Sequence, residues 1–125
     1  MKKIISTDQA PGAIGPYSQA VEAGNFIFIS GQLGLGEKTG EFIGASVDQQ
    51  ARKALENIGA ILKAAHLSFK DVVKVTVLLA DINDFAKVNE IYGEFFIADY
   101  PARAAFQAAG LPKGALVEIE AIACR

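Results

Sequence analysis

Residues 46–79, SVDQQARKALENIGAILKAAHLSFKDVVKVTVLL, carry the two clearest periodic patterns in the chain. In the first part, apolar residues recur at steps of three and four, which predicts an amphipathic helix over 46–65. Its apolar stripe consists of Val47, Ala51, Ala54, Leu55, Ile58, Ile61, Leu62 and Ala65, and its opposite face of Gln50, Arg52, Lys53, Glu56 and Asn57. Ser46 followed by Gln49 matches a capping box, so we expect the helix to begin there.

The second part of this stretch predicts a strand over 72–80, because its residues alternate between two faces. One face would carry Val73, Val75, Val77 and Leu79, and the other Lys74, Thr76 and Leu78. His66 lies between the helix and the strand, where a residue with positive φ often ends a helix. We therefore interpret this single histidine as a helix-ending residue rather than a catalytic one.

Shorter elements are predicted on either side of this stretch. Strands over 18–22 and 26–30 flank an Ala-Gly-Asn turn and form a hairpin, and Lys-Thr-Gly at 38–40 predicts another turn. A second helix is predicted over 84–97, with Asn83 as its cap and an apolar face of Phe85, Val88, Tyr92, Phe95 and Phe96. Strands over 104–108 and 116–123 close the chain. This order predicts an α+β fold, with one mostly antiparallel or mixed sheet and two helices packed on one face.

The composition fits one domain that spans residues 1–125. The length is typical of a domain, and 51% hydrophobic residues with a net charge of −2 exclude intrinsic disorder. The longest stretch without a charged residue is the 14 residues 23–36, which include four glycines, whereas a membrane-spanning helix needs about 20 apolar residues. Because the hydrophobic fraction is high for a small domain, we expect a homo-oligomer that buries part of it.

The charge pattern and the rare residues exclude several classes of function. The 12 basic and 14 acidic residues form no basic stripe, so nucleic-acid binding is not expected. His66 and Cys124 are the only histidine and cysteine and have no zinc-ligand spacing, so we expect no metal site. The glycine-rich segment 31–36 lacks the ending of a phosphate-binding loop and predicts turns instead. No apolar signal core follows the first residues, and we expect a cytoplasmic protein.

Three charged residues near the end of the chain are candidates for chemistry. Glu118 and Glu120 share one face of the last predicted strand, about 7 Å apart by the strand rise. Paired carboxylates at that spacing serve some hydrolases, but the pattern alone favours a solvated strand face. Arg103 stands in a run of small apolar residues, where its planar guanidinium would anchor a carboxylate or form a surface salt bridge.

The chain resembles the RidA family, the YjgF-like reactive intermediate deaminases, over essentially its whole length. The segments that carry the resemblance are ordered at the family's spacing, which is more specific than any single motif. They are APGAIGPYSQ (10–19), FISGQ (28–32), QARKALEN (50–57), ADINDF (80–85), NEIY (89–92), YPAR (100–103), LPK (111–113) and VEIEAI (117–122).

This resemblance implies a chorismate-mutase-like fold and a homotrimer with its clefts between subunits. It also implies hydrolysis of enamines and imines, such as 2-aminoacrylate, 2-iminopropanoate and 2-iminobutanoate, to 2-oxo acids and ammonia without a metal or cofactor. The family's substrate-carboxylate arginine falls on Arg103 and its acidic residue near the imine on Glu118, not Glu120. Its remaining cleft residues fall on Tyr17, Ser30, Gly31 and Asn89.

One position departs from the family pattern. Ala105 stands where the family commonly has Cys, Thr or Ser, and Ala104 where it commonly has Ser. A backbone carbonyl at position 105 would still help to hold the attacking water, whereas a side-chain contact there is lost. Ala105 therefore keeps open a non-catalytic trimer that binds small carboxylates. An RNA-directed activity is a further, less favoured alternative, because the protein is acidic.

Overall fold

One mixed sheet of six strands and two α-helices make up the computed structural model, which describes residues 1–125. The elements are β1 (Lys3–Ile5), β2 (Ala20–Ala23), β3 (Phe26–Gln32), α1 (Val47–Ala64), β4 (Val72–Leu79), α2 (Phe85–Phe95), β5 (Ala102–Gln107) and β6 (Val117–Cys124). Short 3₁₀ turns precede β4, α2 and β6. The predicted α+β class with a mixed sheet is confirmed. Neither helix has the length and apolar character needed to cross a membrane.

The strand order is β1-β2-β3-β6-β4-β5, so the last strand in sequence lies near the centre of the sheet. All neighbouring strands are antiparallel except β4 and β5, which are parallel. Parallel neighbours need a crossover connection, and α2 provides it. The crossover places α2 beside α1, on the same side of the sheet.

The hydrophobic core lies between the two helices and one face of the sheet. The sheet contributes Ile27, Ile29, Val75, Val77, Leu79, Val117 and Ile119, and the helices contribute Ala51, Leu55, Ile58, Ile61, Leu62, Val88 and Tyr92. Leu55 and Ile58 are fully buried, and each such side chain contributes about 1.5–3 kcal/mol through its removal from water. The Ser46 capping box is present at the start of α1, as predicted.

The other face of the sheet has no helix over it and is rich in exposed apolar side chains. Paired residues of neighbouring strands form a row across it, which runs Ile4, Val21, Phe28 and Ile122. Ile4 is 52% exposed and Phe28 is 46% exposed, although both are large and apolar. Phe106, on β5, extends this open face toward the opposite edge. A row of exposed apolar side chains across a sheet face is typical of an interface with another chain.

Two predictions about strand faces and helix caps were wrong, and one strand was not predicted. Val73 does not share the buried face of β4, because the pairing with β6 shifts register between Val72 and Lys74 and leaves Val73 exposed. Asn83 does not cap α2; it lies inside a 3₁₀ turn, where its backbone N–H donates to the Asp81 carboxylate. The strand β1 was not predicted, because only three residues of it pair with β2. The hairpin of β2 and β3 is confirmed.

Candidate active site

A cleft of about 890 Å³ opens at one end of the sheet and contains four of the predicted site residues. Its walls are the loop before β2, the end of β3, the segment 33–40, the turn before β6, and β6 itself. The predicted residues that line it are Tyr17, Ser30, Gly31 and Glu118, and Glu120, Lys38 and Lys113 line it as well.

Glu118 projects from β6 into this cleft and lies directly against Gly31. A Cβ atom at Gly31 would be 2.9 Å from Cδ of Glu118 and closer still to its Oε2, so any larger residue there would displace the Glu118 carboxylate. The pairing of β3 with β6 shifts register between Ile29 and Gln32, which places Gly31 in an irregular stretch of the strand. Such irregularities often redirect side chains beside active sites. Gly31 therefore determines where the carboxylate lies.

The environment of Glu118 favours its protonated form. Desolvation raises the pKa of the Glu118 carboxyl above its usual value, and the negative charge of Glu120 raises it further. Both carboxylates lie on the same side of β6, as the alternation of the strand predicts. A carboxyl group whose pKa is raised toward neutrality is suited to accept and return a proton during a reaction.

The predicted residues Tyr17 and Ser30 have different surroundings in the cleft. Tyr17 is 52% exposed and presents its ring to the cleft. The Ser30 hydroxyl donates a hydrogen bond to the Ser18 carbonyl at 2.6 Å, and the Ser30 amide donates to the Gln19 carbonyl. Ser30 thus ties β3 to the segment that carries Tyr17.

Buried polar side chains hold the walls of the cleft in place. The Gln19 amide nitrogen donates to the carbonyls of Thr7, Ala10 and Pro11, and the Gln19 amide oxygen accepts from the Thr7 N–H. Both amide hydrogens of a side chain with a single –NH₂ group are thereby engaged. The loop before β2 is consequently fixed around one buried glutamine.

The first helix fixes the opposite wall through a polar stripe of Gln50, Lys53 and Asn57. Asn57 Nδ2 donates to the carbonyls of Leu33 and Leu35, at 3.1 and 3.0 Å. Gln50 donates to the Gly44 carbonyl and accepts from the Leu116 N–H. Lys53 forms a salt bridge with Glu37 at 3.2 Å, with both partners largely shielded. These contacts hold the segment 33–44 against α1.

The assignment of Gln50 and Asn57 to the polar, outward face of α1 was therefore wrong, since they are 4% and 1% exposed. The physical reason is the segment 33–44, which packs over that face of α1. Gln50, Lys53 and Asn57 are spaced i, i+3 and i+7, so they form one polar stripe along α1. This stripe was the one signal in the sequence that could have indicated a segment packed against that side of the helix.

Arg103 is held in a second cluster, which α2 and β5 form together. Its Nη1 donates to Oδ1 of Asn89 at 2.7 Å. Its guanidinium carbon lies 4.7 Å from the ring centre of Tyr92 and 5.2 Å from that of Phe85. Phe85, Asn89 and Tyr92 are spaced i, i+4 and i+7 on α2, so one face of the helix provides all three contacts.

The structure separates the predicted site residues into two groups on opposite faces of the sheet. On β4, Val75 is buried beneath the helices and pairs with Arg103, whereas Leu78 pairs with Glu118. Because neighbouring residues of a strand point to opposite faces, Arg103 lies on the helix side and Glu118 on the open side. Within one protomer, Tyr17, Ser30, Gly31 and Glu118 are brought together, and Arg103 and Asn89 are not brought to them.

The last predicted site residue, Ala105, belongs to the helix side. It pairs with Val77 and packs against the core, so its side chain does not line the cleft. His66 ends α1 with a φ of 62°, as predicted, and lies away from the cleft. No three His, Cys, Asp or Glu side chains are grouped in a way that could hold a metal ion.

Comparisons with known proteins identify close relatives. A family model described as "Endoribonuclease L-PSP" matches residues 7–125. The chain is 56% identical over 123 residues to the human protein named 2-iminobutanoate/2-iminopropanoate deaminase, which covers 98% of this chain and 90% of the human one. It is 57% identical to the mouse protein of the same name, with 98% and 91% covered.

Solved structures agree with these relatives. The YjgF gene product of E. coli has a TM-score of 0.94 and 51% identity, with 98% of each chain covered. E. coli TdcF, whose structure contains bound serine, has a TM-score of 0.94 and 52% identity, with 98% of each chain covered.

Proposed function

The chain belongs to the endoribonuclease L-PSP family, the RidA or YjgF-like proteins, and we propose that it hydrolyses 2-imino acids to 2-oxo acids and ammonia. The substrates are 2-iminopropanoate and 2-iminobutanoate, together with their enamine forms such as 2-aminoacrylate. The identity of 56% over nearly the whole chain to a protein named for this reaction carries the proposal. No metal or cofactor is required.

Arg103 binds the carboxylate of the substrate in this proposal. A guanidinium has five N–H donors in one plane, and a carboxylate accepts two of them in parallel. Asn89 engages one donor on Nη1 and leaves others free. Asn89 therefore acts on the substrate through Arg103, by fixing the rotation of the guanidinium. Binding at the carboxylate orients the neighbouring C=N carbon toward the attacking water.

Glu118 moves the protons of the reaction. A water molecule attacks the carbon of the protonated C=NH₂⁺ group while Glu118 accepts one of the water protons, and the π electron pair moves to nitrogen to give a neutral tetrahedral carbinolamine. Glu118 then returns that proton to nitrogen, the C–N bond breaks, and ammonia leaves with the electron pair. The carbinolamine hydroxyl gives its proton to the Glu118 carboxylate and becomes the carbonyl of the 2-oxo acid, and Glu118 passes this proton to the released ammonia, which departs as ammonium. The raised pKa of Glu118 suits this acceptance and return.

The complete active site lies between subunits of a homotrimer in our proposal. Two observations support an assembly of this kind. Arg103 and Glu118 face opposite sides of one sheet, so a site that uses both needs a second chain. The apolar row Ile4, Val21, Phe28 and Ile122 leaves a surface that another chain would bury. The number of subunits follows from the family resemblance.

Two finer points belong to the same proposal. We place the protein in the cytoplasm, where labile imines from amino-acid metabolism would arise. We also infer that Ala105 does not abolish catalysis, because alanine keeps the backbone carbonyl that would help to hold the attacking water. The family description as an endoribonuclease keeps an RNA-directed activity as the rival, and the net charge of −2 without a basic stripe opposes it.

The test generates 2-aminoacrylate in situ with a serine dehydratase and follows the release of pyruvate. We expect the wild type to accelerate this release above the rate in free solution, and Arg103→Ala to abolish the acceleration. Arg52→Ala is the matched control, since Arg52 forms an exposed salt bridge with Glu94 on α2. Equal rates for wild type and Arg103→Ala would contradict the proposal, as would cleavage of RNA without any effect on imines.

A further inference from the structure

The ring of Tyr92 lies against the one guanidinium that the proposed reaction needs. Tyr92 projects from α2, is 5% exposed, and has its ring centre 4.7 Å from the guanidinium carbon of Arg103. The ring of Phe96 stacks on Tyr92 with ring centres 4.4 Å apart and planes 30° apart. Tyr92 therefore has little freedom to move.

Tyr92 differs from the apolar residues of the core because it carries a hydroxyl group. Its oxygen is buried and has no hydrogen-bond partner in the chain. Burial raises the pKa of the Tyr92 phenol, and the positive charge of Arg103 opposes that shift. The phenol is consequently neutral under ordinary conditions, and the contact with Arg103 is that of a cation with an aromatic ring.

We propose that Tyr92 is a positioning residue, whose ring fixes the plane in which Arg103 presents its donors to the substrate carboxylate. This inference rests on the proposed function. Asn89 accepts from Nη1 at 2.7 Å and so fixes the guanidinium against rotation within its plane. The rings of Tyr92 and Phe85 limit tilting out of that plane. Arg103 is otherwise exposed and has no salt bridge in the chain, so these contacts alone hold it.

Substitution of Tyr92 should weaken substrate binding more than the chemical step. A carboxylate bound equally in the ground state and the transition state affects KM and leaves kcat nearly unchanged. Loss of a contact between a cation and an aromatic ring weakens binding by up to about a factor of ten to thirty. We expect Tyr92→Leu to raise KM for 2-aminoacrylate, and the inhibition constant of pyruvate, about tenfold. Tyr92→Phe, which keeps the ring, should retain nearly wild-type values.

The control and a double-mutant cycle separate this role from a loss of stability. Val88→Ala removes a buried side chain from the same helix and keeps the Asn89, Tyr92 and Phe85 side chains that contact Arg103, so its KM should stay at the wild-type value. In the Arg103→Ala background, Tyr92→Leu should cause no further change in pyruvate binding.

The inference is overturned if Tyr92→Leu has the same KM as Val88→Ala. It is also overturned if Tyr92→Leu weakens pyruvate binding by the same factor with and without Arg103. Failure of the proposed function gives a different result, because Arg103→Ala would then retain wild-type activity whatever the behaviour of Tyr92→Leu.

Discussion

Two inactive variants should restore each other's activity when their chains assemble together. Arg103→Ala removes the carboxylate anchor, and Glu118→Gln removes the proton acceptor while it keeps a side chain of similar shape against Gly31. Arg103 is exposed and Glu118 is half-buried on the opposite face, so neither substitution disturbs the core. Each variant alone should be inactive, because every site in its assembly lacks one group.

The size of the recovered activity follows from the separation of the two groups. A complete site needs Glu118 from one protomer and Arg103 from its neighbour. In a random 1:1 mixture, about half of the protomers retain each group, so about a quarter of the sites are complete. This fraction is the same for a closed ring of any number of subunits. A site built within one protomer would give no recovery, since each chain lacks one of its groups.

The assay co-expresses or refolds the variants together and measures pyruvate release from 2-aminoacrylate generated in situ. We expect about a quarter of the specific activity of wild type treated in the same way. The two folded variants mixed without exchange of subunits should remain inactive. A co-assembled mixture no more active than its components would refute the inter-subunit site. Full activity of Arg103→Ala alone would instead show that Arg103 takes no part in the reaction.

Three further predictions concern the cleft. Gly31→Ala should displace the Glu118 carboxylate and lower kcat, and the free energy of unfolding in urea should change little. At Gly34, by contrast, a Cβ would meet the backbone of α1 at 2.6 Å. Gly34→Ala should therefore lower the free energy of unfolding by about 1–3 kcal/mol. Glu120→Gln removes one cause of the raised pKa of Glu118 and should lower that pKa. Because the carboxylate form of Glu118 accepts the proton, the acid limb of the kcat/KM pH profile should then move to lower pH. An acid limb at the wild-type pH would contradict this prediction. Asn57→Ala leaves two carbonyls of the cleft wall without their donor and should lower the free energy of unfolding by about 2 kcal/mol, measured in urea.

The parts of the fold that local sequence determines were predicted well. The start of α1 at Ser46 and the side of β6 on which Glu118 and Glu120 lie depend on residues within one turn or one strand. The burial of Gln50 and Asn57 was not predicted because their partners lie 6 to 66 residues away. Three of these partners lie in the segment 33–44, which has no periodicity.

The composition of the site was predicted from the family resemblance, but its division between two faces was not. Each of the strands β5 and β6 has an alternation of faces, and neither strand shows which of its faces the helices cover. The pairing of Val75 with Arg103, and of Leu78 with Glu118, gives that answer only when both neighbours of β4 are known. Strand order is a property of the whole chain, and a short motif does not contain it.

The position of β6 makes the last residues of the chain the ones that join the sheet. Before β6 is in place, β1, β2 and β3 form one hydrogen-bonded unit, β4 and β5 form another, and no strand links them. During synthesis on the ribosome, residues 26–29 stay unpaired on this edge until residues 121–124 have been made. Unpaired strand edges are sites of aggregation. A chain that stopped at residue 115 would therefore have two half-sheets with exposed edges and no Glu118.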